Sequence, residues 1–230
     1  MKRGISYILF VFSFSFLVSA CDSSIDDTEM IDYQYEYSPF QVGNYKEYEI
    51  NIRDSSFSTD IDTTFYLKEV VSQKLIDILT REFVIKRYFK ANLDDEYTLK
   101  ELSKVELSTH TLITVYDNIR YVNLKFPVYE GLTWDGNAEN NENENDFSID
   151  SLAFTFTLND TTSFDNVLFV NQEEKKTSID TILSYERYAK DIGLIQKEER
   201  NITNTINENF EFVIESAYIY SQNLIQSGTE

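Results

Sequence analysis

Large apolar side chains alternate with small or polar ones through much of this chain, and only an extended backbone sorts such a series onto one side. In Tyr48-Glu49-Ile50-Asn51-Ile52 the apolar residues are all even-numbered. Leu152, Phe154, Phe156 and Leu158 alternate with Ala153, Thr155 and Thr157, and Val122, Leu124 and Phe126 with Asn123 and Lys125. Near the end Phe210, Phe212 and Ile214 alternate with Glu211, Val213 and Glu215, in a register that runs on to Tyr218 and Tyr220. This period predicts half-buried antiparallel strands. Asp117-Asn118 tolerates the positive φ of a tight hairpin, Asp191-Ile192-Gly193 suits a bulged one, and Pro127 falls where a strand ends. Two stretches, 72–79 and 97–107, have mixed spacing that fits a short helix as well as a strand. About ten strands with so little helix predict a mainly β fold. An antiparallel β-sandwich and a strongly curved sheet or partial barrel both satisfy it, with at most one or two short helices.

The first twenty residues obey a different pattern. Lys2 and Arg3 precede an apolar run over 5–18, then the small residues Ser19 and Ala20. The run is too short to span a bilayer and reads as a signal peptide. Leu17-Val18-Ser19-Ala20-Cys21 resembles a bacterial lipobox, in which the cysteine is acylated and becomes the first residue after cleavage. That resemblance implies a palmitate-type lipid on Cys21 that anchors the protein to a membrane. The expected organisation is therefore a signal peptide over 1–20, a lipidated flexible tether over 21–38 and a single β-rich domain over 39–230. Roughly 210 residues remain after cleavage, enough for one domain to bury about 70% of the surface of its unfolded chain.

Composition removes several function classes. Cys21 is the only cysteine, so a lipidated chain keeps no thiol for disulfides, metal ligation or nucleophilic catalysis. The formal charge is −20, and loss of Lys2 and Arg3 deepens it by two. Such a chain repels phosphate backbones, so nucleic acid is not an expected partner. His110 is the only histidine, which leaves no zinc site of several imidazoles and no ordinary hydrolytic triad. No cofactor motif is present. Asp135, Asn137, Glu139 and Asn141 recur at every second position after Trp134 and form a weak calcium candidate. Counted from Asp135, however, the sixth position of an EF-hand loop, which requires glycine, is Asn140. Forty acidic residues make any carboxylate pair unspecific as a glycosidase signature. The many tyrosines favour pleated sheets, and their rings can also line a cavity.

Several blocks in a fixed order resemble one family. They are the lipobox, Val42-Gly43-Asn44-Tyr45, Phe126-Pro127-Val128 with Gly131, Trp134-Asp135-Gly136-Asn137, and Tyr188-Ala189-Lys190-Asp191-Ile192-Gly193-Leu194-Ile195. Together they resemble the uncharacterised envelope lipoproteins of the Bacteroidota. The resemblance implies an outer-membrane lipoprotein whose acidic run after Cys21 looks like a signal for the surface-facing leaflet. Asp62-Thr63-Thr64, Asp150-Ser151-Leu152, Asp160-Thr161-Thr162 and Asp180-Thr181-Ile182 resemble that phylum's O-glycosylation sequon. The expected function is a non-enzymatic binding or structural lipoprotein, held to the membrane through its lipid, with a protein partner or small ligand left open. Alternatives are a carrier of an apolar ligand in a curved sheet and a carboxylate-dependent hydrolase.

Overall fold

The computed structural model describes residues 32–55, 60–76 and 80–230. Cys21, on which the lipid anchor depends, and the signal peptide lie outside the described residues, as does 77–79 of the first ambiguous stretch. In chain order the strands are β1 (Asn44–Asp54), β2 (Ile61–Ile76), β3 (Arg81–Lys90), β4 (Thr98–Leu107), β5 (Thr111–Tyr116) and β6 (Ile119–Lys125). After these come β7 (Thr133–Asp135), β8 (Asp146–Leu158), β9 (Thr162–Lys176), β10 (Asp180–Ala189), β11 (Gly193–Ile206) and β12 (Phe212–Thr229). The helical element among the described residues is a 3-10 turn, Tyr35–Tyr37. Of the two ambiguous stretches, 72–76 is strand in β2 and 98–107 is strand in β4.

All twelve strands join one antiparallel sheet in the order β6-β5-β4-β3-β2-β1-β12-β11-β10-β9-β8-β7. The curved-sheet expectation therefore holds and the two-sheet sandwich does not. Most neighbours follow one another in sequence, but β12 returns to the centre and pairs with β1 from Asn44↔Thr229 to Asp54↔Tyr218. Bulges bend the ribbon. Register shifts at Glu47/Tyr48, Arg187/Tyr188 and Ser184/Tyr185 insert extra residues beside the centre. On β8 three shifts accumulate, and Ala153 takes a positive φ of 59°.

The bent ribbon nearly closes on itself. Edge strand β6 faces the turn that follows β7 at the opposite edge. There the Val122 amide donates to the Gly136 carbonyl at 2.9 Å, the Trp134 Nε1–H to the Val122 carbonyl at 2.8 Å, and the Asn140 amide to the Arg120 carbonyl at 2.8 Å. These bonds satisfy backbone groups that an open edge leaves available for association. Trp134-Asp135-Gly136-Asn137 is thus the clasp of the barrel. A Cβ on Gly136 would lie 2.5 Å from the Phe147 ring, so only glycine fits between the clasp and the Trp134–Phe147 edge contact.

The hairpin expectations are met. Asp117 and Asn118 have φ of 49° and 65° between β5 and β6, and Gly193 has φ of 88° where β10 turns into β11. The tether boundary moves. Tyr37 and Ser38 are only 3% exposed, so the packed domain begins ahead of residue 39. The Tyr35 hydroxyl donates to the Thr109 carbonyl at 2.9 Å, Phe40 stacks on Phe83, and the Asp191 amide donates to the Glu36 carbonyl at 2.8 Å. Residues 33–40 therefore strap one end of the barrel, from the β4–β5 turn to the β10–β11 turn.

Candidate functional site

Two hydrophobic clusters fill much of the interior. One includes Val71, Ile85, Val105, Leu124 and Trp134, and the other Tyr48, Ile50, Leu67 and Ile195. Charge lies between them. On one face of β2 the order is Leu67, Glu69, Val71, and on the paired face of β3 it is Phe89, Arg87, Ile85. Pairing extends this rung across four strands, since Lys46 sits opposite Glu69, Glu69 opposite Arg87, and Arg87 opposite Glu101. A second polar rung crosses β10 to β12, with Glu186 opposite Lys197 and Lys197 opposite Gln222.

Both rungs line one cavity of about 630 Å³. That volume is in the range of small-molecule sites. Glu101, Leu102 and Asp117 belong to its wall and are exposed, so it reaches solvent beside the tip of the β5–β6 hairpin. Phe40, Val71, Ile85, Val105 and Leu112 give part of the same wall an apolar surface.

Ion pairs hold most of the charge. Arg87 Nε lies 3.2 Å from Glu69, and its Nη1 bonds Glu101. Lys197 lies 2.8 Å from Glu199 and 3.8 Å from Glu186. Glu186 is 2% exposed and also accepts a hydrogen bond from the Tyr188 hydroxyl. Burial disfavours the charged form of Lys197, but Glu186 and Glu199 outweigh it and push the ammonium pKa up.

Four tyrosines face these groups. Tyr116 projects from the β5–β6 hairpin between the rungs, with the Arg87 guanidinium 5.1 Å from its ring. It keeps 37% of its surface exposed and belongs to the cavity wall. Burial, reinforced by Glu69, pushes its hydroxyl up to about 12 even though Arg87 and Lys197 pull the other way. Burial also raises Tyr48, Tyr188 and Tyr220, so all four hydroxyls stay protonated at neutral pH. Tyr48 donates to the Leu194 carbonyl at 3.0 Å and Tyr220 to Gln222 at 2.8 Å.

Two lining groups stand apart. Among the described residues the Lys46 ammonium has no carboxylate within 4.0 Å, and burial lowers its pKa, although Glu69 opposes this. Ser38 is 3% exposed, and its hydroxyl has no hydrogen-bond partner.

The residues singled out from sequence lie elsewhere. Asp135 Oδ1 accepts the amides of Asn137 and Asn145, both at 2.9 Å, while Asn137 Nδ2 donates to the Asn143 carbonyl at 2.6 Å. Glu139 faces Arg120 at 3.7 Å. In the candidate calcium loop the Asp135 carboxylate thus shapes its own turn, and Glu139 faces a cation. His110 is exposed in a turn, with Nδ1 2.8 Å from Thr109 Oγ1. Of the four sequon-like sites, Thr161 sits on an exposed turn and Thr63 on an exposed part of β2, while Ser151 and Thr181 are half-buried in strands. The cavity residues were missed, although one signal existed: Lys46, Glu69, Arg87 and Glu186 each occupy the inward parity of an alternating strand, where a charged side chain breaks the pattern.

No protein-family model matches the chain, and no curated protein matches it. Two solved structures resemble it at low identity. A protein from Bacteroides fragilis, described as exported and of YmcC-like fold, is 16% identical with a TM-score of 0.43. A protein from Parabacteroides distasonis, described as a lipoprotein, is 13% identical with a TM-score of 0.39. In each case the match covers 87% of this chain and 100% of the other.

Proposed function

We propose that this protein is a non-enzymatic lipoprotein of the cell envelope, anchored by acyl chains on Cys21, that binds a small molecule in the cavity of its barrel. The cavity carries this reading. Burying ionised side chains costs several kcal/mol per ion unless each is paired, and an apolar lining of equal volume is usually no less stable. A chain that places Glu69, Arg87, Glu186 and Lys197 around a cavity gives up stability that a packed core would keep. Stability alone does not explain that choice, whereas recognition of a partly polar ligand does.

The wall carboxylates support binding over hydrolysis. A carboxylate hydrolase needs one acid held protonated to give up a proton. Here Glu69 and Glu101 are ion-paired with Arg87, and Glu186 with Lys197, so each of these wall carboxylates is already engaged by a cation. The mixed lining also favours a ligand with a polar end over a purely apolar one.

Native mass spectrometry of the protein purified from envelopes tests the reading. A small molecule should co-purify with the barrel, and Cys21→Ser should lose the acyl mass while keeping that molecule. Protein that is empty under conditions preserving other envelope carriers refutes the binding role. Surface proteolysis of intact cells tests placement on the outward face of the outer membrane, where a shielded protein refutes it.

A further inference from the structure

Among the cations that line the cavity, Arg87 and Lys197 each face two carboxylates, and Lys46 faces none within 4.0 Å. Its ammonium lies against Gly193 and the strap. A Cβ on Gly193 would stand 3.2 Å from Lys46 Nζ, 3.4 Å from Pro39 Cδ and 3.6 Å from the Tyr37 carbonyl. The bare glycine backbone therefore gives the ammonium its room against the strap. The same measurements bring Tyr37 and Pro39 to this point, and between them in sequence lies Ser38, whose buried hydroxyl lacks a partner. One half-buried ammonium, which has the Phe40 ring at 5.7 Å but no carboxylate among the described residues within 4.0 Å, and one buried hydroxyl without a hydrogen-bond partner thus line the cavity at one end. Buried polar groups are normally hydrogen-bonded, and an orphan at a cavity wall calls for an external partner.

We propose that Lys46 and Ser38 form the headgroup site for an amphiphile with a single carboxylate, whose aliphatic chain lies along Phe40, Val71, Ile85, Val105 and Leu112. The proposal rests on the cavity-binding reading and adds the class of ligand. One carboxylate oxygen takes a charge-assisted bond from the ammonium, and the other takes the serine hydroxyl. A monoanion meets the one lining cation that has no carboxylate within 4.0 Å among the described residues. A dianionic phosphate head would add a second negative charge beside Glu69, Glu101 and Glu186 with no cation free to meet it.

The test is calorimetric titration of the full chain carrying Cys21→Ser, which has no acyl chains of its own to occupy the cavity, with dodecanoate, dodecanol and dodecyl phosphate. The expected result is dodecanoate binding at least tenfold tighter than either of the others. Lys46→Met should bring dodecanoate down to the level of dodecanol and leave dodecanol unchanged, and Ser38→Ala should narrow the preference by several-fold. Equal binding of dodecanoate and dodecanol by the parent chain overturns the headgroup site and leaves the cavity reading standing. Tightest binding of dodecyl phosphate overturns the monocarboxylate assignment. Binding of none of the three overturns the amphiphile class, and if the envelope-purified protein is also empty the cavity reading falls with it. The comparison within the parent chain decides the matter even if a variant fails to fold.

Discussion

Arg87→Met should destabilise the fold by about 3 kcal/mol, the lower end of the cost of breaking a buried ion pair by removing one partner. Methionine keeps most of the aliphatic stem, so the loss falls on the guanidinium. The Arg87 and Glu69 side chains are only 16% and 17% exposed and 3.2 Å apart, and without Arg87 the Glu69 carboxylate has no other cation within 4.0 Å among the described residues. The lower end applies because the cavity reaches solvent, which offers Glu69 partial hydration. The bond to Glu101 adds less than about 1 kcal/mol, because that side chain is 52% exposed. With an m-value of about 2 kcal/mol/M in urea, the unfolding midpoint should fall by about 1.5 M. Trp134 is the only tryptophan and sits in the clasp, so its emission reports opening of the barrel directly. The double variant Arg87→Met/Glu69→Gln should recover most of the loss, since the stranded charge is gone. A single variant within about 1 kcal/mol of the parent, or a double variant no more stable than the single, refutes the view that the rung is a coupled buried pair.

Three further outcomes follow from the same structure. Burial opposes ionisation of Glu106, but hydrogen bonds from Arg120 and Lys104 outweigh it and hold the carboxyl below its ordinary range. A depressed carboxyl stabilises the fold above its unfolded pKa of about 4.3 and loses that contribution as pH falls through the folded value. Glu106→Gln should therefore lower the melting temperature at pH 7, and the gap to the parent should close under acid; a constant gap rejects the assignment. Lys46 has the opposite character, because its folded pKa lies below the unfolded value of about 10.4. Its charge costs stability below the folded pKa, and the cost disappears as pH rises past the unfolded one. Ligand-free Lys46→Met should melt higher than the parent at pH 7 and converge with it near pH 10, and a variant that melts lower at neutral pH contradicts this. Gly136→Ala forces the Phe147 ring to move and should cost about 1–3 kcal/mol by thermal melting with a shift in Trp134 emission; an unchanged melt shows that the clasp has slack.

The strands were legible wherever one face was apolar and the other polar, as in β1, β6 and the inward series of β8. They were less legible where bulges change the parity. β4 carries the exposed Leu99 and Leu102 on opposite sides of a register shift, and that mixture is why 97–107 also fitted a helix. Ser38 falls in the tether expected over 21–38 because strand-like patterning starts only after Pro39-Phe40, yet the strap, which contacts turns at Thr109 and Asp191, buries it. Those partners are distant in sequence, so no local pattern announces them.

The alternation of side chains by itself determined that this chain would be an antiparallel sheet, and Asp117-Asn118 and Gly193 determined where it turns, because both are properties of a few adjacent backbone dihedrals. Tertiary structure alone decided that the sheet bends into one nearly closed barrel. It also decided that Trp134 and Gly136 clasp the barrel's edge, and that Lys46, Glu69, Arg87, Glu186 and Lys197 share a cavity. Those facts depend on the summed effect of bulges and twist over twelve strands, which brings together residues more than a hundred positions apart.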